Sequence, residues 1–347
     1  MVELRFNGQR YAYWQKVYIK SSVDDLVADM NFAVTRDGLG KLSALDENTV
    51  VQVLIDDHLV STIRPDIVNE TVRAQSHSIE IDGRSLGREF VDCKYSKSLS
   101  GLKLDEIVKQ LCSTFNVPVQ IDAETAVVAD FAMQCETPAN ALINAARAAN
   151  LLLYPTPDGG LKLTKPTAAA PVATLVYGDH IESYSVVDEY RLRYSDYLVK
   201  GYDYAANQAL KGAVKDGGLT YFRPLHIMAD KLGKSLGGCD RRAELERNRR
   251  LARAHRIDLD VYGWTHSGGV WEINTQVRVV IPYRNIDGVY LIGDRIFTLD
   301  DQGGSMTRLT VMQRDAFIGE DKPAAHSKRS AAKKPTKQQT IYASDLE

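Results

Sequence analysis

The sequence predicts a mixed, mainly β protein in which two β domains flank a small α+β insert. Residues 11–19 and 51–55 alternate polar and apolar side chains with the period of two that is typical of strands. Two helical patterns follow in the middle of the chain, and strand patterns return at residues 197–202 and 277–281. A chain of 347 residues, 44% of them hydrophobic, is long enough to bury cores for such domains.

The first β domain is predicted over residues 1–98. Asp56, Asp57 and His58 interrupt the apolar run of residues 50–63 and suit a tight turn, so a hairpin is expected there. Several short strands separated by turn signals are typical of a barrel or a sandwich. The opening residues lack a continuous apolar stretch, and they therefore predict a strand and not a secretory signal.

The small α+β insert is predicted over residues 99–170. Apolar residues recur at helical spacing from Leu104 onward, and Pro118 ends this helix because proline disfavours the helical conformation at the residue before it. A second, alanine-rich helix is expected to begin at Thr137, where threonine can cap and the following proline suits the first helical position. A short hairpin and the linker at 166–171 complete the insert.

The second β domain is predicted over residues 171–318, with an insertion at about 211–256 that consists of a loop and an arginine-dense helix. Good helix formers and interleaved glutamates predict that this helix is long and exposed. Two interpretations stay open. The helix is either solvated and held by pairs such as Glu246 with Arg250, or it lines a channel or a protein interface. The candidates for the second role are Arg241, Arg242, Arg247, Arg249, Arg250 and Arg253.

Residues 319–347 are predicted to form a basic C-terminal tail. Positions 322–337 hold six basic and no acidic residues, a composition that buries too little apolar surface to order itself. The whole chain is nearly neutral, with a formal net charge of -2, so any attraction to nucleic acid must be local. No stretch approaches the roughly 20 apolar residues of a membrane span, and no membrane anchor is expected.

No catalytic, cofactor-binding or metal-binding residues are predicted. The four cysteines form no CxxC pair, and the sequence contains neither a GxSxG elbow nor a phosphate-binding glycine loop. Cys239, His255 and His266 form the strongest candidate metal trio, but such isolated ligands are more often unrelated to one another. Carboxylate pairs such as Asp24 with Asp25 are interpreted as turn markers rather than as the acids of a glycosidase.

Several short stretches point to a known family. They are Gly83-Arg84 with Asp92-Cys93, residues 104–112 with 117–119, residues 197–202, residues 221–224 with 229–230, residues 263–265 with 271–274, and residues 299–303 with 307–309. Together with the order of the predicted parts, they resemble the baseplate hub proteins of contractile-tailed phages of the phage Mu P type. The late control D family is a more distant resemblance. The similarity extends from about residue 2 to residue 318.

The resemblance implies two similar β-barrel domains and a structural role without enzymatic activity or cofactor. It further implies a homotrimer whose doubled barrels present a pseudo-sixfold face, which joins the sixfold tail tube to the trimeric central spike. The implied partners are the spike, the tail tube or tube-initiator protein, the baseplate wedge proteins and, transiently, DNA in the bore. The implied location is the virion tail baseplate, assembled in the bacterial host cytoplasm. The alternative that stays open is a tail-associated peptidoglycan hydrolase.

Overall fold

A computed structural model describes residues 1–12, 14–35, 45–203, 207–228, 238–300 and 303–317. The predicted tail at 319–347 and part of the predicted insertion, residues 229–237, lie outside the described residues. Most of the described chain is strand, and the helices are concentrated in the insert and in one long helix near residue 245. The mainly β fold class predicted from the sequence is confirmed.

The N-terminal region is all β. Its strands are β1 (Val2–Phe6), β2 (Gln9–Tyr11), β3 (Lys16–Ser22), β4 (Asp29–Thr35), β5 (Val51–Ile55), β6 (His58–Arg73) and β7 (Ser76–Ser85). The predicted hairpin is confirmed, because β5 pairs with β6 in an antiparallel ladder. Its turn residues Asp56 and Asp57 both adopt positive φ, of 46° and 64°, which is the conformation that a two-residue hairpin turn requires.

The insert contains two helices packed on short strands. Its elements are α1 (Arg88–Asp92), β8 (Tyr95–Lys103), α2 (Leu104–Thr114), β9 (Val119–Asp122), β10 (Val127–Glu136), α3 (Pro138–Ala148), β11 (Leu152–Pro155) and β12 (Leu161–Thr164). The side chain of Glu106 accepts a hydrogen bond from the Lys103 amide at 2.8 Å and so fixes the start of α2. Leu104, Leu111 and the alanines of α3 are buried, as their spacing predicts.

The C-terminal region is again mostly strand. Its elements are β13 (Ala173–Val176), β14 (Ile181–Asp188), β15 (Asp196–Asp203), β16 (Gln208–Lys215), β17 (Pro224–Met228), α4 (Gly238–Arg253), β18 (His255–Tyr262), β19 (Thr265–His266), β20 (Gly269–Val270), β21 (Gln276–Ile281), β22 (Ile286–Asp300) and β23 (Gly304–Met312). Short 3-10 turns lie at Tyr190–Leu192, Pro282–Arg284 and Arg314–Phe317.

One sheet of 13 strands runs through both β regions. The two regions join where β3 pairs with β22, with Ile19 opposite Phe297 and Ser22 opposite Asp294. We call this pairing the β3–β22 seam. Because each region continues into the other through the seam, the described strands form open sheets and not the two closed barrels that were expected.

A second core lies beside the main sheet. It combines buried side chains of α2 and α3 with Val199 of β15 and Cys239 and Ala243 of α4. Strands β16 and β17 pair with the two edges of β15, so much of the predicted loop after residue 211 is a three-stranded sheet. Strands β16 and β17 were not predicted because they are short and half-buried, and because Gly212 and Pro224 weaken the strand pattern.

The prediction that α4 is an exposed helix was wrong. Of its 16 residues, only Asp240 and Arg241 are exposed in the chain. The helix begins against β16, where Gly212 approaches its backbone closely. A Cβ atom at Gly212 would lie 2.1 Å from the carbonyl carbon of Cys239 and 2.2 Å from the amide nitrogen of Asp240. Glycine is therefore the residue that lets the helix dock on the small sheet.

Substituting Gly212→Ala should loosen α4, because backbone atoms cannot move aside as the end of a flexible side chain can. We expect a loss of about 1–3 kcal/mol in the free energy of unfolding, measured by urea denaturation. The matched control is Gly217→Ala, where an added Cβ meets no atom within 4 Å. Equal stability of the two variants would contradict this account of how α4 docks.

Candidate functional site

Four of the six arginines of α4 form ion pairs with carboxylates of the same chain. Arg249 and Arg253 both donate to the carboxylate of Asp24, which lies in the turn after β3. Arg242 and Arg250 form ion pairs with Glu246 at 2.8 and 3.4 Å, one helical turn on either side. The sequence-based expectation of a Glu246–Arg250 pair is thus confirmed.

The two remaining arginines lie nearer to the surface. The guanidinium of Arg247 donates to the side-chain oxygen of Asn248 at 2.9 Å. Arg241 reaches Asn150, which follows the C-terminal end of α3. With the Asn150 amide oriented so that its oxygen faces the guanidinium, this oxygen accepts a hydrogen bond from Nη2 of Arg241 at 2.7 Å. The helix therefore contacts the insert as well as the N-terminal region.

Asp24 accepts hydrogen bonds from three arginines on two helices. In addition to Arg249 and Arg253 of α4, Arg147 of α3 donates to its Oδ1 at 3.4 Å. The side chain of Asp24 is only 14% exposed and that of Arg249 only 8%. We call Asp24, Arg147, Arg249 and Arg253 the Asp24 cluster. It joins the N-terminal β region, the insert and the C-terminal region through one carboxylate.

The Asp24 cluster is rich in positive charge for a buried site. Burial and, second, the nearby charge of Arg249 lower the pKa of the Arg147 guanidinium to about 10. Burial also lowers the pKa values of Arg242, Arg249 and Arg253. Among the described residues, the carboxylates of Asp24 and Glu246 are the ones that form ion pairs with these four guanidinium groups. Asp24 is the carboxylate that Arg147, Arg249 and Arg253 share, and it therefore offsets part of the desolvation cost of all three.

A second carboxylate, which is half-buried, interacts electrostatically with Arg253 of the cluster. Asp294 stands opposite Ser22 in the β3–β22 seam, and its pKa is raised, first by burial and then by the charge of Asp25. The positive charge of Arg253 acts in the opposite direction and lowers the pKa of Asp294. The seam and the Asp24 cluster thus form one continuous region of buried charge.

Sequence reasoning missed the role of Asp24. The pair Asp24 with Asp25 was interpreted as a turn marker, and both residues do follow the end of β3. The sequence of α4 did contain a signal, because its arginines outnumber its acidic residues. If such arginines are buried, some of them need a carboxylate from another part of the chain. Nothing in the sequence identifies which of the distant acids supplies it.

The candidate metal trio is not brought together. His255 pairs with Asp188 at 2.6 Å, His266 packs against the ring of Trp271, and Cys239 is buried at the start of α4. Within the part of the chain that the structure describes, no group of three or more potential ligands could hold a metal ion. None of the described helices combines the length and the apolar character that crossing a membrane demands.

Replacing Asp24→Asn should leave Arg147, Arg249 and Arg253 without their shared carboxylate. Because Arg249 is buried, we expect the free energy of unfolding to fall by about 3–5 kcal/mol in chemical denaturation. The matched control is Asp25→Asn, whose side chain is 49% exposed and pairs with Lys20 at 3.4 Å, and which should cost less than about 1 kcal/mol.

A second substitution separates lost charge from lost packing. In the Asp24→Asn background, Arg249→Met removes the uncompensated charge and should recover part of the lost stability. If the double variant is no more stable than Asp24→Asn alone, Asp24 does not act by neutralising Arg249.

Comparison with known proteins places these features in a family. Residues 1–85 match the model of the N-terminal domain of Mu phage baseplate assembly protein GpP-like proteins, and residues 88–165 match the second domain of baseplate hub protein gp44-like proteins. Residues 237–320 match the fourth domain of Mu phage baseplate assembly protein GpP. Together the three matched ranges cover more than half of the chain.

A relative of nearly full length and two solved structures agree with this assignment. Baseplate hub protein gp44 of Escherichia phage Mu is 27% identical over 340 residues, which cover 91% of this chain and 89% of that protein. The 43 kDa tail protein of prophage MuSo2 from Shewanella oneidensis has the same fold, with a TM-score of 0.81 at 23% identity over 91% of this chain and 99% of that one. A tail protein from Neisseria meningitidis MC58 gives a TM-score of 0.80 at 21% identity over 90% and 96% of the two chains.

These relatives are named as a baseplate hub protein of phage Mu, a prophage tail protein and a tail protein. The predicted structural, non-enzymatic role and the predicted location in the tail baseplate of the virion are therefore confirmed, and the alternative of a peptidoglycan hydrolase is set aside. The chain belongs to the baseplate hub family of Mu-like phages.

Proposed function

We propose that three copies of this chain form the hub ring of the baseplate and join the sixfold tail tube to the trimeric central spike. Each subunit contributes two β regions, so that a threefold ring presents six similar units to the tube. The function is carried by shape and surface complementarity, for which no catalytic group is needed.

The β3–β22 seam is the observation that carries this proposal. A threefold ring can imitate sixfold symmetry only if the two β regions of one subunit hold a fixed relative position. The seam supplies that rigidity, because six residue pairs from Asp294 with Ser22 to Leu299 with Val17 join the regions as neighbouring strands. Buried Ile19 and Phe297 face each other across it.

Exposed apolar side chains support the formation of an assembly. On β6, Ile67 is 57% exposed and Val72 is 68% exposed, and before β17 the side chain of Phe222 is 80% exposed. Ile67, Val68 and Val72 lie on the same strand, and a patch of exposed apolar side chains marks a surface that a partner covers. A ring needs two different contact surfaces on each subunit, because its interface is heterologous.

The partners and the domain boundaries are part of the same proposal. We propose that the hub contacts the central spike on one face, the tail tube or tube-initiator protein on the other, and baseplate wedge proteins at its rim. Assembly takes place in the bacterial host cytoplasm. The proposed domains are residues 1–98, 99–170 and 171–318, followed by the tail at 319–347.

The role of the α4 arginines in a channel or an interface stays a prediction. Arg242, Arg249, Arg250 and Arg253 are occupied by carboxylates of the same chain. Arg241, at the exposed N-terminal end of α4, is the arginine of this set best placed to contact DNA in the bore or a neighbouring subunit.

The oligomeric state tests the proposed ring directly. In light scattering, the purified chain should have three times the mass of one 38.6 kDa subunit, or should reach that state when the spike protein of the same phage is added. A chain that stays monomeric with and without the spike would contradict the proposed ring.

Arg241→Glu tests the predicted channel or interface role separately from folding. Because this side chain is exposed and the substitution removes only its hydrogen bonds to the Asn150 amide, the variant should unfold at a denaturant concentration only slightly below that of the original chain. Phage that carry it should nevertheless lose infectivity or tail assembly, measured by plaque titre and by electron microscopy of tails. The charge-matched control is Arg284→Glu, at an exposed arginine outside α4, and equal titres for both variants would rule out a special role for Arg241.

A further inference from the structure

Five strands of each β region follow the same plan. In chain order, the N-terminal set is β3, β4, β5, β6 and β7, and the C-terminal set is β14, β18, β21, β22 and β23. Within each set the strands lie side by side in the order first, second, fifth, fourth and third. All pairings inside the two sets are antiparallel. The main sheet therefore contains an internal repeat, and its two copies meet at the β3–β22 seam.

The fourth strands of the two repeats, β6 and β22, match in detail. The first half of each pairs with the third strand of its repeat, and a β-bulge follows, next to Pro65 in β6 and next to Ile292 in β22. The second half of β22, which begins at Asp294, lies between β23 and β3. The second half of β6, which begins at Ile67, pairs with β7 on one edge, and no described strand pairs with its other edge.

The first strand of the C-terminal repeat also has a free edge. Strand β14 pairs with β18, and among the described residues its only other ladder contact is the single bridge between Ile181 and Tyr177. Its counterpart β3 pairs with β4 on one edge and with β22 on the other. The chain thus has two free edges, which correspond to the two strands that form the seam.

The free edge of β6 is apolar and unprotected. Ile67, Val68 and Val72 are exposed along it. Natural proteins commonly protect such edges with lysine or proline, but neither residue occurs in β6 after Ile67 or anywhere in β14. A long apolar edge without this protection is a site for pairing with a strand of another chain.

We propose that, in the hub ring, the second half of β6 pairs with β14 of the neighbouring copy in the way that β22 pairs with β3 inside one copy. This contact rests on the proposed trimeric ring and identifies the two surfaces that form its interface. Because the two edges differ, the contact is heterologous, as a closed ring requires. Three such contacts alternate with three seams, so that the sheets of the three copies continue into one another around the ring.

The internal repeat also gives equivalent positions in the two β regions. Ile67 and Asp294 are the first paired residues after the two bulges. From Ile67, the ladder passes through Asp82 of β7 and Asn31 of β4 to Tyr18 of β3. From Asp294, the ladder passes through Thr310 of β23 and Asp258 of β18 to Ser185 of β14. Tyr18 and Ser185 are therefore equivalent.

These positions define the register of the contact between copies. In the seam, Tyr18 pairs with Thr298, four residues after Asp294. The equivalent pair between copies is Ser185 with Thr71, four residues after Ile67. The next pair is Val72 with Tyr184, a β-branched residue opposite an aromatic one, which stabilises antiparallel strands and covers the exposed Val72.

A pair of cysteines tests this register. In a Cys135→Ser background, which removes the exposed native thiol, the chain with Thr71→Cys and Ser185→Cys should form disulfide bonds between copies in air. Non-reducing electrophoresis should show a covalent trimer. The matched control is Asn69→Cys with Ser185→Cys, in which the thiols are two residues out of register. This control should run as a monomer, because residues so placed are too far apart for a disulfide.

Lysines at the two edges test the contact independently. Val72→Lys and Ser185→Lys should each reduce the scattering mass from that of a trimer to that of one 38.6 kDa subunit, without a change in the unfolding midpoint. Mixed together, they should form a pair and no ring, because the first variant keeps an intact β14 and the second an intact β6. The matched control is Val91→Lys, at a 43% exposed valine of α1, which should remain trimeric.

The masses are measured alone or with the spike protein, whichever condition gives the ring for the original chain. If the original chain stays monomeric in both conditions, the proposed ring is contradicted and the contact with it. If the original chain is trimeric but both lysine variants are trimeric too, or Thr71→Cys with Ser185→Cys gives no covalent trimer, the ring stands and the pairing of β6 with β14 is overturned.

Discussion

The pairing of β3 with β22 is the contact on which the positions of the other parts depend. It converts two β regions into one sheet, so that neither region can rotate without breaking a strand ladder. The insert then lies beside this sheet with a core of its own, which it shares with α4 and the small sheet of β15, β16 and β17. In the proposed ring, a continuous sheet would hold the two β regions in one relative position better than flexibly linked domains could.

Buried charge is concentrated around the end of β3. Asp24 follows this strand and binds three arginines, Ser22 faces Asp294 across the seam, and Ser21 accepts a hydrogen bond from Arg295. Each of these contacts joins segments that are far apart in sequence. Hydrophobic packing holds such segments together, whereas directional ion pairs and hydrogen bonds define one relative orientation.

Local patterns allowed a correct prediction wherever the determining residues are close in sequence. The end of α2 was predicted from Pro118 and the start of α3 from Thr137 and Pro138, and the hairpin was predicted from its turn residues Asp56 and Asp57. The β3–β22 seam could not be predicted, because a period-two pattern identifies a strand but not its partner. The burial of α4 was not predicted because a helix rich in arginine is typical of a solvated surface. The carboxylate that pairs with its buried Arg249 belongs to Asp24, more than 200 residues away in sequence.

The seam also determines when the chain can complete its fold. Arg295 and its partner Ser21 are 274 residues apart, so β3 is synthesised long before the strand that covers its free edge. At about 5–20 residues per second, the ribosome needs roughly 14–55 s to produce the intervening chain. During that interval the edge of β3 is open to pairing with other chains, as unpaired strand edges are. The insert, whose contacts are more local, can fold in the meantime.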